Sequence, residues 1–506
     1  MTREPGRLKR AAAAMSVLCA ALALLFATSS SPLYATNFWT DTNIYFTIGR
    51  GIVSGLAPYR DLFDHKGPLL YAIYALGALI SRTSFFGVFL VEVASLAAAL
   101  YLGWRTVCLY GEGTLTLAAI PISAIVAAAC AAFTQGGSAE EFCLPALSLA
   151  LLCALRRMRE GRECASWRRL CVAFGAATGW VFAIKYTDCG LFFGLGLAML
   201  GWEARTLGLR RAIRAGLLMA AGFFAVVTAN ALWLAACGAL GDCVRVYFIQ
   251  NMFDYVGEPM TPAGHIYNAL AYLRTQSAAN PAVAALAMLG CVWTVLAALA
   301  RREKGFAFEA FSVPLGAGLL LLFAYWGEMA HPYYALVFAA LAPLGLIPLG
   351  PLARSERGRA AILLTVIPAL AIAPACRALC AATPLMDVRR EDMAQTAFAE
   401  IVNREENPTL LDVTSLDQGF YLAAGVTPTV RYFADNNLNT QEKRDAIAGY
   451  LADGETQFAV TCYRDVGERY ALIAERESPF DLNVTRTYKL YRRIEGAQEE
   501  EDGQAD

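Results

Sequence analysis

Long apolar runs recur along the chain from residue 11 to residue 376, and they constrain its fold more than any other feature. A transmembrane helix needs about 20 apolar residues to cross the hydrocarbon core of a bilayer, which is roughly 30 Å thick. Counting the runs that approach this length predicts eleven spans. They lie at residues 11–28, 84–104, 114–133, 139–155, 170–185, 187–201, 215–236, 281–300, 308–326, 333–352 and 360–376. With 57% hydrophobic and only 17% charged residues, the chain is not an ordinary soluble protein.

The basic residues between the runs predict how the chain crosses the membrane. If the first helix runs outward and Leu69–Ile80 does not cross, every cytoplasmic loop is basic, as the positive-inside rule requires. These loops contain Arg105 and the clusters at 156–169, 205–214, 301–304 and 354–359. The prediction is a multi-pass protein of the cytoplasmic membrane with a cytoplasmic N-terminus. A cleaved signal peptide over the first run is the alternative.

The first external loop, residues 29–83, is predicted to carry two interfacial helices. Asp41–Ile52 has apolar residues four apart, which is typical of an amphipathic helix lying on a surface. Arg50 would extend from that helix toward water. Leu69–Ile80 is apolar but only about 12 residues long, too short to cross the hydrocarbon.

With this topology the remaining polar clusters between spans collect at the outer face, which predicts an active site there. The first loop contains Asp41, Arg60, Asp61, Asp64, His65 and Lys66. Later loops add Glu140 and Glu141 in QGGSAEE, Lys185 close to Asp188, and His331 with Tyr333 in GEMAHPYY. Glu92 is the exception, because it lies inside the second span, where a carboxylate needs a partner or a function.

Structural explanations exist for most of these residues. Asp41 is at the position of an N-cap for a helix beginning at Thr42. Glu140 and Glu141 begin a helix, where the dipole favours acids. Lys185 and Asp188 would pair across a turn, and Asp61, Asp64 and Lys66 would fix a local turn. Cys237 and Cys243 are candidates for an outer disulfide.

After Pro384 the composition becomes that of a water-soluble domain. Residues 384–495 are predicted to form a small extracytoplasmic α/β domain, and the acidic residues 496–506 a disordered tail. The pattern predicts helices at 391–402, 419–424, 440–451 and 466–476. It predicts strands at 409–413, 429–433, 458–461 and 484–491. The net charge of −1 gives no sign of a basic surface for nucleic acid, so the expected partners are membrane lipid and small molecules.

Asp41 followed by PYRDLFDHKGPLLY resembles the first external loop of GT-C glycosyltransferases, in particular bacterial members similar to protein O-mannosyltransferases and lipid A aminoarabinose transferases. GGSAEEF and HPYY are similar to further parts of that pattern. The resemblance covers residues 11–376 and implies an inverting transfer of a sugar from a polyprenyl-phosphate donor at the outer face. It implies that Asp41 is catalytic and that Lys66 lies near the donor phosphate. Many members have two adjacent acids where this chain has Asp41-Thr42-Asn43, which leaves Asn43, Asp61 and Asp64 as candidates for the second role.

The chemistry of such a transfer agrees with these residue types. A departing phosphate is stabilised by positive charge, for which the candidates are Arg60, His65, Lys66, Lys185 and His331. The acceptor hydroxyl needs a base, and Asp41 is the candidate. Acids near Asp41 and Glu140 would also suit a divalent metal.

The sequence leaves the acceptor open between a protein, a glycan and a lipid. Two other functions also stay open. One is a transporter or flippase for a lipid-linked glycan, which would show internal repeats and broken helices. The other is a non-catalytic membrane protein with an external binding domain.

Overall fold

The computed structural model describes residues 5–255, 260–327, 330–355, 359–481 and 484–494. Three predicted features lie wholly or partly outside these ranges. They are the acidic tail at 496–506, part of the basic cluster at 354–359, and Glu328 in the segment before His331.

The part of the chain up to residue 379 is helical. Its first helices are α1 (Pro5–Ala27), α2 (Thr40–Val53), α3 (Pro68–Ile80), α4 (Phe86–Val107), α5 (Ala119–Ala128), α6 (Ala139–Glu160), α7 (Trp167–Lys185), α8 (Gly190–Leu207) and α9 (Leu209–Ala236). They are followed by α10 (Leu240–Cys243), α11 (Asn251–Phe253), α12 (Pro262–Ala279), α13 (Pro281–Arg301), α14 (Phe306–Ala324), α15 (Ala342–Gly345), α16 (Leu349–Ser355) and α17 (Arg359–Leu379). A π-helical turn, Val244–Gln250, joins α10 to α11, and the 3₁₀ segment Pro332–Leu341 precedes α15.

Within the described residues, eight helical segments are long and apolar enough to cross a membrane. One of them, Trp167–Leu207, is 41 residues long and contains both α7 and α8. The segment Thr114–Ala128 is apolar but shorter. The chain is therefore a multi-pass membrane protein, as predicted, while the count of eleven spans stays a prediction. Helices approach closely where glycine allows it: a Cβ built on Gly175 of α7 would lie 1.8 Å from the carbonyl oxygen of Met219 in α9.

Helix α2 differs from the prediction. The sequence indicates one buried face, yet every residue from Asp41 to Gly51 is buried. The C-terminal domain covers the other face, where Thr47 donates to Asp417 Oδ2 at 2.6 Å. The prediction that Arg50 extends toward water is wrong for the same reason, because its Nη1 donates to the Tyr421 carbonyl at 3.1 Å.

The C-terminal domain combines helices with one mixed sheet. Its helices are α18 (Ala394–Val402), α19 (Phe420–Ala423) and α20 (Gln441–Ala452), and its strands are β1 (Leu410–Asp412), β2 (Phe458–Thr461), β3 (Tyr470–Asp481) and β4 (Val484–Arg493). The strand order is β1-β2-β4-β3, with β1 parallel to β2 and the other pairs antiparallel.

Two predicted elements of this domain are wrong. The helix at 466–476 is replaced by the start of β3, because pairing along β4 outweighs the helix propensity of its Ala, Leu and Glu residues. Residues 429–433 form no strand. Residues 429–433 instead meet the loop between α2 and α3, where Phe63 N donates to the Arg431 carbonyl at 2.9 Å.

Breaking the buried ion pair between α6 and α8 is expected to destabilise the protein strongly. Arg157 Nε lies 2.6 Å from Glu203 Oε1, and both side chains are fully buried. Removing Arg157 leaves the buried Glu203 with only Arg211, whose Nε lies 3.9 Å from Glu203 Oε2. We therefore expect Arg157→Leu to lower the free energy of unfolding by about 3 kcal/mol, the lower end of the range for breaking a buried pair. Unfolding of the purified protein in detergent measures this loss.

Arg156→Leu is the matched control for that measurement. Arg156 pairs with Glu160 at 2.6 Å on the same helix, but both side chains are about one-third exposed. We expect its removal to cost less than about 1 kcal/mol. Equal losses in the two variants would contradict a special role for the buried pair.

Candidate active site

Asp41 lies in the first turn of α2, in a buried position beside aromatic side chains. Its side chain is 8% exposed, and its Oδ2 accepts a hydrogen bond from the Tyr333 hydroxyl at 3.2 Å. Trp39 packs edge-on against the Tyr333 ring with 5.2 Å between centroids. Because the helix begins at Thr40 and Trp39 occupies the N-cap position, the N-cap explanation of Asp41 is wrong.

The surroundings of Asp41 adjust its acidity in opposite directions. Burial raises the pKa of Asp41 above its ordinary value, and the charge of Lys66 opposes that shift. The negative charge of Asp64 raises the pKa of Asp41 further. A carboxylate with a raised pKa is a stronger base than an exposed aspartate, which suits it to accept a proton from a hydroxyl.

The main chain around Lys66 is held by two tyrosines. The Lys66 N–H donates to the Tyr71 hydroxyl at 2.9 Å, and the Tyr59 hydroxyl donates to the Lys66 carbonyl at 2.7 Å. Gly67 then passes so close to the end of α7 that a Cβ would lie 2.2 Å from the Ala183 carbonyl oxygen. In this irregular segment, these contacts fix where the Lys66 side chain begins.

A cavity of about 700 Å³ has Lys66 in its wall and is lined mainly by apolar side chains. Its polar lining includes His65, Lys66, Lys185, Thr187 and Asn251. Its apolar lining includes Phe182, Phe193, Phe223, Phe253, Phe323, Trp326 and Tyr334. Phe193 lies within a candidate span and is 55% exposed.

Lys185 is a second cation at this cavity, and its partner is not the one predicted. Its Nζ pairs with Glu140 Oε1 and lies 3.3 Å from the centroid of the Tyr334 ring. Asp188 is fully buried, and neither of its carboxylate oxygens has a hydrogen-bond partner within the described residues. The prediction of a Lys185–Asp188 pair is therefore wrong, because α6 brings Glu140 to the lysine.

Glu141 has the structural role that the sequence left open. Ser138 caps α6 by accepting from the Glu141 N–H at 3.1 Å. Glu141 Oε2 in turn accepts from the Gly137 N–H at 2.8 Å. These bonds satisfy backbone donors at the start of the helix.

His331 stacks on Tyr333 with 5.2 Å between ring centroids and an interplanar angle of 9°. Burial lowers the pKa of His331 below its ordinary value, and the charge of Lys66 lowers it further. His331 is therefore mainly neutral at pH 7 and supplies little positive charge to a phosphate. Its stacking on Tyr333 instead supports the tyrosine that contacts Asp41.

Arg60 and Asp61 form a partly exposed pair with 2.7 Å between Arg60 Nη2 and Asp61 Oδ2. Arg60 also donates to the Cys237 carbonyl at 2.6 Å. Neither is among the described residues that line the cavity. Cys237 and Cys243 are both free, so the predicted disulfide between them is not formed.

Asp64 and His65 lie closer to Lys66. Asp64 is buried, its Oδ1 is 3.3 Å from His65 Nδ1, and its Oδ2 accepts from the Tyr71 hydroxyl at 2.7 Å. The His65 ring packs against the Tyr255 ring at a tilt of 37°, with 5.0 Å between centroids. In the described part of the chain, no three His, Cys, Asp or Glu side chains come together as a metal site would require.

The partner of Glu92 is Thr28, at the end of α1. The Thr28 hydroxyl lies 3.1 Å from each Glu92 carboxylate oxygen, and Glu92 is fully buried. The sequence gives no sign of this contact, because the two residues are 64 positions apart.

Sequence reasoning also missed the residues of the C-terminal domain that contact the first loop. Asn436 Nδ2 donates to Asp64 Oδ1 at 3.3 Å, and Arg431 Nε donates to the Tyr59 carbonyl at 3.1 Å. Neither residue lies in a motif. Their role follows only from the path of the chain.

The helical membrane part with its small C-terminal sheet matches the fold of solved membrane proteins, and the predicted resemblance is confirmed at the level of the fold alone. Two solved structures of ArnT from Cupriavidus metallidurans have this fold. The structure bound to undecaprenyl phosphate superposes with a TM-score of 0.59 at 14% identity, over 94% of this chain and 97% of that chain. The apo structure superposes with a TM-score of 0.59 at 15% identity, over 95% of this chain and 98% of that chain.

The Archaeoglobus fulgidus oligosaccharyltransferase in complex with Zn and sulfate gives a TM-score of 0.48 at 16% identity, over 88% of this chain and 67% of that chain. No family model and no curated protein sequence matches the chain.

Proposed function

We propose that this protein is an inverting glycosyltransferase that moves a sugar from a polyprenyl-phosphate donor to an acceptor at the outer face of the cytoplasmic membrane. The observation that carries the proposal is the cavity: a mainly apolar space of about 700 Å³ whose wall includes the cations Lys66 and Lys185. This shape suits a lipid tail joined to a phosphate. The ArnT structure bound to undecaprenyl phosphate, which shares the fold, supports the same class of donor.

Lys66 and Lys185 have different expected roles at the donor phosphate. No carboxylate pairs with Lys66 in the described part of the chain, so its ammonium group is available to the phosphate. Lys185 already pairs with Glu140. We therefore assign the main stabilisation of the departing phosphate to Lys66, with Lys185 adding positive potential.

The proposed reaction is a single displacement. The acceptor oxygen attacks the anomeric carbon while the bond from that carbon to the phosphate oxygen breaks. Asp41 takes the acceptor proton, and polyprenyl phosphate leaves with the bonding electrons. One base and no separate nucleophile give inversion at the anomeric carbon. Tyr333 orients the Asp41 carboxylate through the bond at 3.2 Å.

The pKa of Asp41 predicts a pH profile. As the base must be ionised, kcat/KM should fall as the pH decreases through the raised pKa of Asp41. Lys66 lowers that pKa and Asp64 raises it. We expect Lys66→Met to move the acid limb to higher pH and Asp64→Asn to move it to lower pH. If the acid limb of the kcat/KM profile lies at the same pH in both variants as in the wild type, Asp41 is not the base.

The direct test supplies the purified protein in lipid bilayers with a panel of polyprenyl-phosphate sugars and candidate acceptors. Release of free polyprenyl phosphate with formation of a glycosylated acceptor supports the proposal. Movement of labelled lipid-linked glycan across the bilayer without release would instead support a flippase. Binding of a glycan or protein by the outer domain, with neither activity in any combination, would support a non-catalytic membrane protein.

A further inference from the structure

The C-terminal domain forms part of the wall that holds the first external loop. Phe63 N donates to the Arg431 carbonyl at 2.9 Å, and Arg431 Nε donates to the Tyr59 carbonyl at 3.1 Å. These two bonds join the domain to the loop on both sides of Leu62. The loop from Tyr59 to Lys66 therefore lies between α3 and the C-terminal domain.

Asn436 makes the contact closest to the site. It is 4% exposed, and its Nδ2 lies 3.3 Å from Asp64 Oδ1 and 3.5 Å from the Phe63 carbonyl oxygen. Asp64 is ionised: burial alone would raise its pKa, but hydrogen bonding and charge from His65 and the charge of Lys66 hold that pKa below its ordinary value. A hydrogen bond to a buried charged group is stronger than one between neutral groups.

Asn436 is itself held in place within its own domain. Lys443 is fully buried, and its Nζ donates to the Asn436 carbonyl at 2.5 Å and lies 3.4 Å from Asn436 Oδ1. Lys443 also pairs with Asp435 at 2.9 Å. The amide oxygen of Asn436 therefore faces a cation while its NH₂ group faces an anion. Aspartate at this position would satisfy only the cation, and leucine would satisfy neither.

Two further hydrogen bonds connect the Asn436–Asp64 contact to the backbone of Lys66. Asp64 Oδ2 accepts from the Tyr71 hydroxyl at 2.7 Å, and that hydroxyl accepts from the Lys66 N–H at 2.9 Å. Asn436, Asp64, Tyr71 and the Lys66 backbone thus form one continuous hydrogen-bonded series. Buried series of this kind fix the position of each member because every alternative leaves a polar group unpaired.

We propose that Asn436 is a positioning residue for donor binding, which acts through Asp64 and Tyr71 to place the Lys66 ammonium group in the wall of the cavity. The proposal rests on the proposed function and deepens it. The C-terminal domain completes the donor site, so an acceptor-binding role is not needed to explain its position against the loop.

The test compares Asn436→Ala and Asn436→Asp with Glu405→Gln in the full-length protein. Glu405 forms a partly exposed ion pair with Arg492 at 2.8 Å within the C-terminal domain, and the described contacts do not join it to Asp64 or to the loop. Undecaprenyl phosphate is the binding probe, and donor KM, kcat and acceptor KM are measured where transfer occurs.

We expect Asn436→Ala to weaken undecaprenyl phosphate binding about tenfold and to lower kcat/KM for the donor by about 10- to 100-fold. The acceptor KM should not change. Asn436→Asp should reduce undecaprenyl phosphate binding and the donor kcat/KM further than Asn436→Ala, because it places a second carboxylate against Asp64. Glu405→Gln should match the wild type.

A double-mutant cycle with Lys66→Met separates positioning from general destabilisation. If Asn436 acts through Lys66, Asn436→Ala should weaken binding little further once Lys66 is methionine. Full additivity of the two losses, or wild-type binding by folded Asn436→Ala, would overturn the proposal. If the wild type binds the lipid but no sugar is transferred, the proposed function fails while this binding test still decides the role of Asn436.

Discussion

Asp41→Asn is expected to abolish nearly all sugar transfer while the protein stays folded. The substitution keeps the size of the side chain and an oxygen for the Tyr333 hydroxyl, but it removes the carboxylate that we propose accepts the proton. General base catalysis contributes about 10²- to 10⁴-fold, so kcat should fall by roughly that factor. Release of polyprenyl phosphate from a sugar donor in the presence of acceptor gives the measurement.

Stability and donor binding serve as controls for Asp41→Asn. Asp41 is buried and its pKa is raised, so the folded protein gains nothing from its ionisation. We expect the variant to melt no lower than the wild type, and to bind undecaprenyl phosphate at least as well. Asp41→Glu should retain a small part of the activity, because a displaced carboxylate is still a base. Wild-type turnover by Asp41→Asn would exclude Asp41 as the base.

Lys66→Met is the second substitution for which we expect a large effect. Methionine fills the space of the lysine stem but carries no charge, so the departing phosphate loses its nearest cation. Removing one preorganised electrostatic group costs about 10²- to 10³-fold in kcat. We expect a loss in this range, together with weaker binding of undecaprenyl phosphate.

Two comparisons make the Lys66 result specific. Lys66→Arg keeps the charge and should retain more activity than Lys66→Met. Lys185→Met should lose less than Lys66→Met, since Lys185 already has Glu140 as a partner. A larger loss in Lys185→Met would show that Lys185 is the principal phosphate ligand and would reverse the assignment.

Much of the architecture could be predicted because it depends on local patterns. The apolar runs predicted a membrane protein, and the short run at Leu69–Ile80 correctly predicted a helix too short to cross, now seen as α3 over 13 residues. The change in composition after Pro384 predicted the small α/β domain. Within that domain local propensity failed at β3, where pairing with β4 decided the conformation.

The sequence by itself determined that the chain is a multi-pass membrane protein, and it singled out Asp41 and Lys66 as the two main candidate site residues. Hydrophobic length and loop charge are properties of consecutive residues, and Asp41 and Lys66 stand out because charge is rare in so apolar a chain. Which groups surround those residues was decided by the tertiary structure. The bonds from Asn436 to Asp64 and from Thr47 to Asp417 join residues about 370 positions apart. No local period or motif reports contacts of that range, because they depend on how the C-terminal domain packs onto α2 and the first loop.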